Sequence, residues 1–296
     1  MLQAGVWLIL LSSILPAAET ARLVILGTGT PIPDPQRSGP SVAIVASGRA
    51  YLFDAGPGVV RRAAAAAEQL RISALAPYNL TKLFLTHLHS DHTLGYPDLI
   101  FTPWVTGRAE PLDVYGPEGT KQMTQHLKSA YAEDIAIRTE GLEHLDAHGL
   151  QVRVHEIAAG QVYQDANITV RAIPVKHGTW PQAFGYAVDA GGRKFVISGD
   201  TTPVAEIAEA CRGCDVLVHE VYSATGFSQL PPETAPYHPN FHTSTKELAE
   251  LASRAKPKLL VLYHQLYFGR TDWDLEAEVR QNYGGAVVSA RDLAVY

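Results

Sequence analysis

Cysteine is scarce in this 296-residue chain: there are two, Cys211 and Cys214, in the run Cys-Arg-Gly-Cys. Without a second pair they do not make a structural zinc knuckle, whose metal needs four ligands. They suit either a small disulfide in an exported protein or two small residues at a helix end. Basic runs are missing as well. Lys and Arg number 24 against 30 Asp and Glu, a formal charge of −6, and the densest basic clusters are pairs such as Arg61-Arg62. Proteins that grip nucleic-acid backbones usually carry a basic face or stripe. Nucleic acid is therefore a disfavoured partner, and a small molecule the expected one. Long apolar runs are absent too. Val6 to Leu15, interrupted by Ser12 and Ser13, is too short to span a bilayer core of about 30 Å. With Pro16-Ala17-Ala18 behind it, it reads as an export leader cleaved within Ala17 to Ala21. The expected division is a leader over residues 1–21 and one domain over 22–296, with the mature protein periplasmic or secreted. The leading end has no Lys or Arg, so a mis-assigned start or a buried N-terminal strand fits the same residues. The protein would then be cytoplasmic.

What is present is an ordinary globular composition, 46% hydrophobic and 18% charged, with strand and turn signals alternating from Arg22 onward. Arg22–Leu26 is an apolar run ended by the Gly/Pro-rich loop Gly27 to Pro33. Ser41–Val45 and Ala50–Phe53 read as a hairpin closing at Ser47-Gly48, and Val59–Leu70 as an Ala-rich helix. Helices are expected around Asp98–Pro103 and over Thr120–Tyr131, Thr202–Ala210 and Ser244–Ala255. Strands are expected at Leu83–Leu85, Leu112–Tyr115, Val152–Glu156, Val170–Pro174, Phe184–Val188, Phe195–Ser198, Val216–His219 and Leu259–Tyr263. Such an order predicts two mixed sheets faced by helices in one domain, with no linker, low-complexity run or sequence repeat.

The chemistry centres on Thr86-His87-Leu88-His89-Ser90-Asp91-His92. A divalent metal needs several deprotonated N or O donors converging at about 2.0–2.2 Å. Two His separated by one residue on an extended loop can grip one ion, while Asp91 and His92 turn to a second. Twelve histidines spread evenly over the chain would not put three within six positions. His177, Asp200 and His264 each follow an apolar strand, where short loops gather above a sheet, and are candidates to complete the site. Asp54 suits either a partner for a ligand His or a turn cap before Gly56-Pro57-Gly58.

These residues carry a resemblance. With Leu26-Gly27-Thr28-Gly29-Thr30-Pro31, Phe53 to Gly58, His177-Gly178, Ser198-Gly199-Asp200, His219-Glu220, His242 to Thr245 and Tyr263-His264, the chain resembles the metallo-β-lactamase superfamily. Within it the likeness is to the ribonuclease Z-like and arylsulfatase-like branch. The resemblance spans nearly the whole chain and implies a four-layer αββα sandwich of two mixed β-sheets. It implies that His87, His89 and His177 hold one zinc, that Asp91, His92 and His264 hold the other, and that Asp200 bridges them. Asp91, His242 and Glu220 are the catalytic candidates, His242 as a general acid oriented by Glu220. An imidazole backed by a carboxylate should stay protonated near neutral pH, although His242 also suits a place beside a helix N-cap. His219 is expected to be structural, and His126, His144, His148, His155 and His238 to be surface residues. Redox relatives with iron place a Glu where His89 stands, so the set here suits zinc. Two zinc ions together would acidify a shared water and clamp an ester.

The ester itself is less legible. Ribonuclease Z proper grips tRNA with a protruding Gly/Pro-rich arm, expected here near Glu140–Asp165. That segment is short and acidic, which disfavours tRNA. Trp104, Trp180, Tyr222, Tyr267 and Phe268 flank the motifs and suit either core packing or the wall of an aryl site. The favoured substrate is a small anionic sulfate ester or phosphodiester. A ribonuclease Z-type tRNA 3′ endonuclease and a β-lactam hydrolase are the alternatives. A β-lactamase attacks a planar carbonyl and has no need of His242. A non-catalytic relative that kept the fold is the remaining class, but such relatives lose ligands and all seven are present. A homodimer is implied by resemblance alone.

Overall fold

The computed structural model describes residues 20–231 and 237–296. The expected leader lies almost wholly outside the described residues. Two mixed sheets form the centre. The first holds β1 (Arg22–Gly27), β2 (Ser41–Ala46), β3 (Arg49–Phe53), β4 (Lys82–Phe84), β5 (Leu112–Gly116) and β6 (Val152–Glu156) in that order. The second holds β7 (Gly160–Gln164), β8 (Ile168–Pro174), β9 (Phe184–Ala190), β10 (Arg193–Ile197), β11 (Val216–Tyr222), β12 (Leu259–Leu266) and β13 (Val287–Ser289), also in chain order. Each sheet begins with antiparallel pairs and continues with parallel ones from β3 and β10 onward.

The first sheet is interrupted by helices α1 (Val59–Gln69), α2 (Ser90–Thr93), α3 (Tyr96–Val105), α4 (Thr120–Ala130) and α5 (Ala132–Glu140). The second carries α6 (Ala205–Cys211), α7 (Ala224–Phe227), α8 (His238–Phe241), α9 (Thr245–Ala255) and α10 (Asp272–Arg280). Strand alternation explains the layering, since successive side chains point to opposite faces. On β1, Leu23 and Ile25 pack between the sheets, whereas Val24 and Leu26 pack under α1 and α3. With both faces covered, these strands read as continuous apolar runs. Between the sheets, Phe53, Phe84 and Tyr115 stack in series at 5.0 Å per pair, each pair worth about 0.5–1.5 kcal/mol beyond burial. Beyond the second sheet, Leu217 and Leu260 meet Leu248 and Leu251 of α9 and Leu275 of α10. The result is the expected α/β/β/α sandwich.

The hairpin turns at Ser47-Gly48, both at positive φ (48° and 74°), as a two-residue turn requires. Residues 140–165 supply a loop and then β6 and β7, each an edge strand of its sheet. Cys211 and Cys214 are buried and disulfide-bonded at the end of α6. Trp104 is core: its ring is buried and its indole donates to Asp146 O. The topology also sets the site, because β8, β10, β11 and β12 run in one direction. Their C-terminal ends gather at one rim, where ligand sites of such sheets form.

Candidate metal centre

His87, His89, Asp91 and His92 lie on the loop and short α2 that follow β4. His177 follows β8, Asp200 follows β10, and His264 sits near the end of β12. The structure brings all seven together. His89 Nδ1 lies 3.0 Å from both His87 Nε2 and His177 Nε2, close to the roughly 3.3 Å between donors that tetrahedral zinc imposes. His264 Nε2 lies 3.2 Å from Asp91 Oδ2, and His92 Nε2 is 3.6 Å from the same oxygen. Asp200 Oδ2 stands between the groups, 4.0 and 3.9 Å from His87 and His177 Nε2, and 3.4 and 3.6 Å from His92 and His264 Nε2.

Neighbouring groups aim the imidazoles. Asp54 accepts from Thr86 N (2.8 Å), Thr86 Oγ1 (2.9 Å) and His92 Nδ1 (2.8 Å). Because the Thr86 hydroxyl proton goes to that carboxylate, its oxygen is left to accept from His87 Nδ1 at 2.9 Å. His177 Nδ1 donates to Phe241 O at 2.8 Å. Each of these three rings therefore turns its Nε2 inward, the orientation a metal requires. His92 Nε2 and Asp200 Oδ1 are buried with no hydrogen-bond partner. Unpaired buried acceptors are costly, and a cation between them removes the cost. The donor set fits divalent metal.

Backbone strain accompanies the placement. Asp54 (φ 62°) and His264 (φ 45°) occupy the left-handed region, which costs a non-Gly residue free energy and marks functional sites. Gly178 at φ 53° is different: a Cβ there would lie 2.1 Å from the Phe241 ring, so only glycine lets α8 press onto His177.

Charge reinforces the geometry. Burial, with its histidine neighbours, holds His87 well below the ordinary imidazole value, and burial takes His89 down to about 4. Burial pushes Asp200 up, yet His264 and His92 outweigh it and keep the carboxylate ionised well below its usual range. Burial and the Asp200 charge push Glu220 well up, and burial brings His242 down to about 4. His242 Nδ1 meets Glu220 Oε2 at 3.2 Å, while Thr243 N donates to Glu220 Oε1 at 2.7 Å. The pair is buried, where separated charges cost more than neutral partners unless further hydrogen bonds hold them, and Thr243 N supplies one such bond to Glu220.

Some contacts had no counterpart in the sequence reading. Trp180 Nε1 donates to His89 Nε2 at 2.7 Å, and His238 packs 4.7 Å from Phe268 and 5.9 Å from His242. His238 is thus part of the site wall and not a surface residue. Its spacing of four from His242, one helical turn, was the available signal. His219 is buried and structural, its Nδ1 donating to Glu220 O, as expected.

A family model described as the beta-lactamase superfamily domain matches residues 49–265. Ribonuclease Z of Mycobacterium bovis (strain BCG / Pasteur 1173P2) is 35% identical over 246 residues, covering 82% of this chain and 85% of that one. The chain belongs to the metallo-β-lactamase superfamily, in its ribonuclease Z-like branch. Among solved structures, this superfamily member resembles the fold protein YhfI of Bacillus subtilis, with a TM-score of 0.71 at 16% identity, covering 94% of this chain and 100% of that one. It also resembles the short form of human tRNase Z, with a TM-score of 0.66 at 23% identity, covering 93% and 98%. At those identities the likeness shows the shared fold.

Membership supports the expected class, a metal-dependent hydrolase of ester bonds. The relative's name matches the reading ranked second from the sequence and gives no support to the arylsulfatase one. It also runs against the expectation that nucleic acid is disfavoured. The physical reason is that net charge and basic runs describe the whole chain, whereas binding depends on the local field of a cleft.

Proposed function

We propose that this chain is a zinc-dependent phosphodiesterase of the ribonuclease Z kind, with RNA phosphodiesters as its substrate class. The observation that carries the reading is Asp200 Oδ2 within 4.0 Å of four histidine nitrogens, two from each ligand group. A carboxylate so placed would bridge paired ions. His87, His89 and His177 would hold one zinc, Asp91, His92 and His264 the other. Zinc there supplies Lewis acidity toward water and toward a phosphoryl oxygen. His242 acts as the proton donor: its Nε2 proton passes to the departing oxygen while Glu220 holds the ring at Nδ1. Thr243 N fixes Glu220 for that transfer. The name of the 35%-identical relative supports RNA as the ester. A small diester is favoured instead by residues 140–165, which form a loop and two edge strands where a tRNA-gripping arm is expected.

Four substrates test the reading with zinc-loaded protein: bis(p-nitrophenyl) phosphate, an RNA with a 3′ extension, p-nitrophenyl sulfate and nitrocefin. Cleavage of both phosphodiesters, abolished by EDTA, is the expected result. Cleavage of the nitrophenyl diester alone replaces RNA with a small diester. Turnover of the sulfate or nitrocefin alone would sink the phosphodiesterase reading.

A further inference from the structure

A cleft of about 270 Å³ opens between the loop after β1 and the end of β12, lined by Thr28, Thr30, Ile32, Leu266, Tyr267 and Phe268 among others. It stands at the small end of ligand pockets, which run about 300–1,000 Å³, so it suits one ring system and not a length of chain. Its floor is fixed. Arg37 lies over the Tyr267 ring at 4.9 Å and is tied to Thr28 Oγ1 and Gln265 Oε1 at 3.1 Å each. Ile32 stands 66% exposed at the mouth, a solvent-facing apolar residue beside an apolar wall. Phe268 holds φ at 49°, strain that a bulky aromatic sustains only where the surroundings impose it.

The position of the cleft assigns it a role. Gln265, next to the candidate ligand His264, forms part of it. Its Phe268 ring lies 4.7 Å from His238, which lies 5.9 Å from His242, the proposed proton donor. Trp180 packs instead on His89, at 4.9 Å, and does not line the cleft. The cleft therefore lies on the His242 side of the candidate metal centre, with His238 and Phe268 between it and the proposed proton donor. We propose that the cleft is a subsite for one planar ring, aryl or nucleobase, belonging to the group expelled from the phosphodiester. The inference builds on the phosphodiesterase reading above, but its binding arm does not depend on turnover.

The test uses zinc-loaded protein, Thr30→Trp to fill the cleft, and Ile32→Ala as a milder change should the first fail to fold. Titration calorimetry with p-nitrophenol and with adenosine reads ring binding directly. Whichever ring binds wild type names the source, aryl or nucleobase. Thr30→Trp should weaken that ring about tenfold and raise KM for bis(p-nitrophenyl) phosphate by a similar factor, with kcat nearly kept. Ile32→Ala should weaken both about threefold in the same pattern. Folded variants with unchanged ring affinity and KM, or wild type that binds neither ring, overturn the proposal. Ring binding lost in the variants of a protein inactive on every phosphodiester would retain the ring subsite while removing the phosphodiesterase reading.

Discussion

The first sheet delivers four of the seven candidate ligands within six residues of chain, His87 to His92, whereas the second delivers three from three different strands. Both sheets are built alike, antiparallel at the start and parallel afterwards. They differ in what holds the ligands. On the first, Asp54 and Thr86 clamp a local loop through short hydrogen bonds. On the second, the direction of β8, β10 and β12 and the seat of α8 on Gly178 bring distant residues to one rim. Similar architecture can thus supply a site by local sequence or by long-range topology. Asp200 joins the two modes.

Replacing the joint should have the largest effect. Asp200→Ala should deplete both zinc ions and nearly all phosphodiesterase activity, while His177→Ala should leave one ion. Zinc per folded chain, by atomic absorption, reads the difference. Equal losses in the two variants would contradict the bridging place of Asp200.

Next comes the Glu220–His242 pair of the second half. His242→Ala should keep zinc and slow diesters with poor leaving groups by about 10²–10⁴, but nitrophenyl diesters by under about tenfold. Glu220→Gln should follow the same pattern more weakly. Equal loss on both substrates would remove the pair from proton transfer.

A smaller effect links the halves. Trp180 can only donate, so the His89 proton sits on Nδ1, between His87 and His177. A metal taken at Nδ1 moves that proton to Nε2, against the indole N–H. Zinc added to metal-free protein should therefore shift tryptophan emission, and Trp180→Phe should abolish the shift. An identical response in the variant would place the change elsewhere.

The smallest effect lies away from the centre, at Asp113 on β5. Burial pushes this carboxyl up, but Lys82 at 2.6 Å and Arg153 at 2.7 Å bring it below its ordinary value. A depressed carboxylate contributes stability above the unfolded-state value near pH 3.9, and that contribution fades as pH falls through the folded value. Asp113→Asn should therefore cost about 1 kcal/mol or less at pH 7 and nothing near pH 2. Urea midpoints at the two pH values test it, and a constant difference would refute the ion-pair account.

Sequence legibility followed the same division. The paired sheets could be read because strands buried on both faces are continuous apolar runs, as in Leu23–Leu26 and Leu259–Leu262. β7 was missed because it is an exposed edge with little apolar content. α10 was missed although Thr271 and Asp274 form a capping box, a signal present in the sequence. α5 was missed because it buries no residue fully. On the metal centre, the run His87 to His92 announced itself, while Trp180 stood out only as an aromatic near the motifs and His238 only by its spacing of four from His242.

By itself the sequence determined the donor chemistry: all-nitrogen and carboxylate ligands, concentrated in one loop, with further candidates after apolar strands. Residue type and short spacing are enough for that, since they fix which atoms can bind a metal. Only the tertiary structure decided which distant residues converge, that Glu220 and His242 pair in a buried place, and where a cleft opens beside them. Those depend on strand direction, burial and the field of neighbouring charges, which no local stretch of chain contains.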